Sequence, residues 1–90
     1  MTAGQDVSTQ RQRLLSELRN ERKLARLTQN QVARAMEWSP SKMLRIETGA
    51  VGISTTDLRA LLTHYNIKDK QQIEELVDVA RVVRTRKGSR

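Results

Sequence analysis

Two helix starts, at Thr28 and Ser39, lie eleven positions apart, and this spacing constrains the chain more than any other feature. The Thr28 hydroxyl can accept from an orphan amide one turn on. Ser39 is a second cap residue, and Pro40 follows it at the first helical position, where a missing N–H does no harm. Between the two starts, Val32, Ala33 and Met36 give a short helix with one buried face, which must stop near Glu37-Trp38. Beyond Pro40, Met43 and Ile46 face inward, and Gly49 supplies a terminating glycine. Thr28 to Gly49 therefore reads as two short helices joined by a tight corner. Ala33 is small enough to let the second helix cross close over the first. The start of the second helix then projects from the body of the domain.

The flanks supply the rest of a core. From Thr9 to Leu27, Leu14, Leu15, Leu18 and Ala25 recur at helical spacing, while Arg11, Arg13, Arg19, Lys23 and Arg26 cover other faces. Ala50 to Ile53, with Gly52, reads as a connector. Ser54 or Thr55 caps a fourth helix with the stripe Leu58, Leu61, Leu62, Tyr65, ended by Asn66. Asp69 opens a fifth, with Ile73, Leu76, Val77, Ala80 and Val83 facing inward. There is no strand pattern and no internal repeat. The expected fold is all-α, five helices with a helix-turn-helix at the second and third. The expected organisation is a flexible arm at 1–8, one domain at 9–83 and a basic tail or linker at 84–90.

Composition narrows the function. No apolar run nears the roughly 18 residues of a membrane helix, and MTAGQDVSTQRQR lacks the apolar centre of a secretory signal. A cytoplasmic, nucleoid-associated protein is expected. With no cysteine and a single histidine, His64, neither a disulfide nor a zinc site can hold the fold. No metal or cofactor is expected, and stability must come from helix packing. The net charge of +7 and pI near 10.8 point to an anionic partner: DNA, RNA or an anionic membrane surface. No nucleophile stands beside a base, and there is neither a glycine-rich phosphate loop nor a recognisable carboxylate pair, so an enzyme is not expected.

The segment TQNQVARAMEWSPSKMLRIETG, followed by ISTTDLRALLTHYNI, resembles the Xre/Cro-type repressors, which have the lambda-repressor-like fold. The resemblance runs from about Leu14 to Leu76 and is strongest to a group of actinomycete regulators. In that group such a domain forms the N-terminus of a longer protein with a separate C-terminal sensor domain. The resemblance implies a bacterial transcription regulator that binds double-stranded DNA as a homodimer, with residues about 40–48 as the recognition helix in the major groove. It implies base contacts from Ser41, Lys42 and Arg45, with apolar contact from Pro40. Leu44 either meets a thymine methyl or packs on the protein. Phosphate contacts fall to Gln29, Thr28, Thr48 and Arg19. Ser39 caps the recognition helix or touches a phosphate. Arg22 and Glu47 form a partly buried structural ion pair.

Two departures stand out. Glu37 occupies the corner position usually held by glycine, and carries strain if that corner needs positive φ. Ala50 stands where the loop often has a basic residue, which shifts phosphate binding toward the backbone amides of Thr48 to Ala50 and the arginines of the first helix.

Other residues have plainer readings. Trp38 packs over the corner or offers its indole N–H to a phosphate. His64 is a surface residue, Met36 and Met43 fill the core, and Tyr65 is a core residue with its hydroxyl at the edge. The arginines of the first helix are phosphate ligands or a solvated face. The basic end from Arg81 is a linker or a phosphate-contacting tail. Val79 and Val82 lie beside the fifth stripe and suggest self-association, although single surface valines are ordinary. Two other functions compete with DNA reading. One is an antitoxin-like or scaffold module that binds a protein on the same fold. The other is non-specific binding of nucleic acid or anionic lipid. The outward Ser41, Lys42 and Arg45 favour sequence-specific DNA binding.

Overall fold

The computed structural model describes residues 7–88, with side chains described through Val83. Five helices follow in order: α1 (Val7–Leu24), α2 (Gln29–Met36), α3 (Pro40–Thr48), α4 (Thr55–His64) and α5 (Lys70–Gly88). No strand occurs among the described residues. The expected all-α, five-helix architecture is what forms.

The starts follow side-chain capping. Thr28 Oγ1 accepts from Gln31 N and Ser39 Oγ from Lys42 N. At α4 it is Ser54 that caps, accepting from Asp57 N, while Thr55 is already helical. Thr28 and Gln31 form a full capping box, since the Thr28 amide donates back to Gln31 Oε1 at 2.9 Å.

The first four helices share one manner of ending. Arg26, Glu37, Gly49 and Asn66 all take positive φ. The amide after each donates back five residues: Leu27 to Arg22, Trp38 to Ala33, Ala50 to Arg45 and Ile67 to Leu62. This is the Schellman closure, which satisfies carbonyls that the helix leaves unpaired. Leu27, Trp38 and Ile67 then pack against the core, so each turn is tied down by an apolar side chain. Gly49 takes the left-handed conformation without strain and Asn66 tolerates it, whereas a Cβ at position 49 would lie 2.9 Å from Leu15 Cδ1. The same closure at Arg26 ends α1 at Leu24, three residues before the expected Leu27.

α1 packs on α5 and α3, α4 packs on α5, and α2 packs on α3. The largest fully buried apolar side chains are Leu18, Val32, Met43, Ile46, Leu58, Leu61, Leu62 and Val77. Met36, expected in the core, is half-buried at its edge. Val79, expected beside the core, is half-buried against it, which leaves Val82 exposed.

One further expectation is corrected. The Tyr65 hydroxyl does not reach the edge: it is buried and has no hydrogen-bond partner among the described residues. Burial pushes its phenol well above the ordinary value of 10.0; the Glu47 carboxylate adds to the rise and Arg22 opposes it. The α5 backbone also runs on through Gly88, past the Val83 boundary, so 84–88 extend the helix. Of the expected arm, Val7 and Ser8 already belong to α1, while residues 1–6 and 89–90 lie outside the described residues.

Candidate nucleic-acid interface

The α2–corner–α3 unit is built from short-range chemistry. α2 closes at Glu37, with φ 62 and ψ 38, where the sequence raised the question of strain. Trp38 turns back onto the core, and Ser39-Pro40 begin α3 at once. Ala33 is buried at the crossing, where its small side chain permits the close approach.

α3 has two sharply different sides. Met43, Ile46 and Glu47 are buried. Pro40, Ser41, Leu44, Arg45 and Thr48 are exposed, Leu44 by 51%. The Arg45 guanidinium has no ion pair among the described residues, and the Thr48 hydroxyl donates only to the Arg45 carbonyl of its own helix, at 3.3 Å.

Glu47 anchors the inner side. Its carboxylate accepts from Arg22 Nε at 2.7 Å, Arg22 Nη2 at 3.1 Å and Gln29 Nε2 at 2.8 Å. Arg22 Nη1 also donates to the Leu27 carbonyl at 2.9 Å, and Arg19 Nη1 to the Glu47 carbonyl at 3.0 Å. The hydrogen bonds that Arg22 donates to Glu47 raise the Arg22 pKa, against the lowering effect of its own burial. The clamp thus joins α1, the α1–α2 turn, α2 and α3 through one buried carboxylate. It contains the Arg22–Glu47 contact that the resemblance implies, and two residues the sequence reading assigned elsewhere. Gln29 and Arg19, expected at phosphates, each spend a donor on Glu47: Gln29 on the buried carboxylate, which needs partners to be tolerated out of water, and Arg19 on the main-chain carbonyl near the end of α3.

Two more placements differ from expectation. Lys42 leaves the outer face sideways. Its ammonium lies 4.7 Å from the centre of the Trp38 ring and 3.7 Å from Asp57 Oδ2 on α4. The loop amides are also engaged, since Gly49 N donates to Ile46 O and Ala50 N to Arg45 O. They are not free donors for a phosphate. Trp38 takes its packing role, and His64 is exposed beside the Tyr65 ring at 6.3 Å.

Neither a group of metal-binding side chains nor a helix long and apolar enough to cross a membrane occurs among the described residues. A helix-turn-helix domain family model matches residues 13–76. The chain belongs to the helix-turn-helix domain family. No curated protein and no solved structure matches it. The matched stretch of this helix-turn-helix domain runs from within α1 to the middle of α5. It therefore takes in the Glu47 clamp, the two-sided α3 and the Lys42–Asp57 contact.

Proposed function

We propose that this helix-turn-helix domain binds double-stranded DNA sequence-specifically, as a transcription regulator of the Xre/Cro type. The observation that carries the reading is the division of α3: one side is fastened by Glu47 and the core, and the other is presented to solvent by Ser41, Leu44 and Arg45. A major groove about 12 Å wide accepts such a helix. Arg45 suits guanine O6 and N7 bidentately, Ser41 is less selective, and Pro40 and Leu44 offer apolar contact to a thymine methyl. Thr28, Ser39 and Thr48 are exposed hydroxyls for the backbone, with the unused donors of Arg19 and Gln29 at its margin. Binding as a homodimer to two half-sites about one helical turn apart extends the proposal, supported by the exposed Val82 on α5.

Selection from a random duplex library tests the whole reading. One enriched motif, retained against bulk DNA as salt rises, is the expected result. A pool that never converges, with affinity falling uniformly with salt, overturns it.

A further inference from the structure

Lys42 is the one cation of α3's first turn, and it is already occupied. Its backbone amide closes the Ser39 cap at 3.1 Å, which fixes where the side chain leaves the helix. The ammonium lies at 4.7 Å over the Trp38 ring, within the range of a cation–π contact. On the other side it meets Asp57 Oδ2 at 3.7 Å. Asp57 is held in turn. It is the third residue of α4, its amide donates to Ser54 Oγ at 3.0 Å, and the positive end of the helix favours its carboxylate. Two groups from two separate elements therefore converge on one ammonium at the edge of the exposed α3 surface.

A ring face and a carboxylate together imitate what a duplex offers a lysine: π-surface and negative oxygen. We infer that Asp57 is a positioning residue that holds Lys42 off the duplex until DNA displaces it, so that each binding event must first break the Lys42–Asp57 contact. This rests on the DNA-binding reading above. Both partners are partly exposed, with side-chain accessibilities of 44% and 36%, so the restraint is weak and reversible. Lys42 is thereby kept from adding fully to the indiscriminate attraction of a +7 chain for phosphates.

A double-mutant cycle in duplex affinity at fixed salt tests this, using Asp57→Asn, Lys42→Met and the pair. Removing any negative charge near DNA tightens binding, so the cycle must separate that general effect from one that acts through Lys42. Asp57→Asn is expected to tighten binding about three- to fivefold in the wild-type background, the scale of a partly exposed ion pair. In the Lys42→Met background the gain should largely vanish. An equal gain in both backgrounds, or none in the wild type, overturns the inference. Trp38 is the only tryptophan, so its emission reports the ammonium directly. DNA should change it in the wild type and much less in Lys42→Met. An identical change in both proteins also counts against release of Lys42. Failure of the wild type to bind any duplex is a separate result and defeats the DNA-binding reading itself.

Discussion

Two arginine–glutamate pairs in this domain have the same bond lengths and different surroundings, Arg22 meeting its carboxylate side-on through Nε and Nη2 and Arg59 end-on through Nη1 and Nη2. Arg22 grips Glu47 with bonds of 2.7 and 3.1 Å, and Arg59 grips Glu74 with bonds of 2.7 and 3.1 Å. The first pair is 12% and 2% accessible and sits beneath α3; the second is 46% and 55% accessible and links α4 to α5 in open solvent. Distances alone would rank them equal. Burial separates them, because water competes freely for the outer pair and reaches only the arginine edge of the inner one. The inner pair is also part of a network with Gln29, Arg19 and the Leu27 carbonyl. Removing one member leaves others buried and unmatched.

The largest expected effect follows. Glu47→Ala should cost about 3–5 kcal/mol in urea unfolding, since Arg22 is left charged and buried. The Arg22→Ala, Glu47→Ala double variant should be less unstable than the sum of the two singles. Additive losses would show that the pair is uncoupled and would sink the clamp.

Next is the outer side of α3, which carries the same basic chemistry with no internal partner. Arg45→Ala should weaken operator binding by about 1–3 kcal/mol and relax preference at one base pair, with unfolding stability almost unchanged. A gel-shift titration paired with a urea melt checks both halves. A large loss of stability would mean that Arg45 belongs to the anchored side.

Tyr65 sharpens the comparison from within the core, where a polar group lacks the partner that Glu47 has. Tyr65→Phe removes a buried, unmatched hydroxyl and should stabilise the fold by up to about 1 kcal/mol. It should also alter the alkaline limb. The folded-state pKa is raised above the unfolded value of 10.0, so the protonated phenol's contribution is complete below that value and is lost as pH climbs above it. Thermal melts between neutral pH and pH 11 should show a steeper alkaline decline in the wild type than in Tyr65→Phe. Equal slopes would contradict the burial argument.

Glu37→Gly should raise stability by a similar or slightly smaller amount, about 0.5–1 kcal/mol, by relieving positive φ at the corner, less the backbone entropy glycine adds to the unfolded chain. A lower urea midpoint would show that Glu37 is not strained.

The exposed pair should have the smallest effect. Arg59 holds the Glu74 carboxyl below its usual range by hydrogen bonding. Its contribution is therefore present above the ordinary carboxylate range and lost as pH falls through the depressed value. Glu74→Gln should flatten the acid limb of stability slightly and barely move the midpoint at neutral pH. A loss rivalling that of Glu47→Ala would erase the distinction between the two pairs.

Local chemistry was legible in the sequence. Thr28, Ser39-Pro40 and Gly49 mark the helix-turn-helix because capping and left-handed termination involve residues close along the chain. Gln31 completes a capping box, and its Thr-x-x-Gln pattern lies open in the sequence. The apolar stripes of α1, α4 and α5 follow from helical periodicity. What sequence reasoning did not reach is the intramolecular partners of long polar side chains. Gln29, Arg19 and Lys42 all start from surface-competent positions, and their partners lie 18, 28 and 15 residues away. Helical spacing indicates which face a residue occupies, not which distant acceptor will draw it sideways. Similarly, the stripe places Tyr65 in the core but does not say how deep its hydroxyl lies, and here the hydroxyl is buried.

The two-sidedness of α3 bears on how a domain like this changes its preferences over time. Among the described residues, Ser41, Leu44 and Arg45 have no side-chain hydrogen bonds, and Thr48 bonds only within its own helix. On the DNA-binding proposal, replacing them would rewrite the lettering without disturbing the hinge and latch beneath. Lys42 is the exception, because any change there also frees a carboxylate on the neighbouring helix. Libraries diversified at the four unattached positions should therefore keep nearly every member folded, making this surface a natural place to graft new recognition.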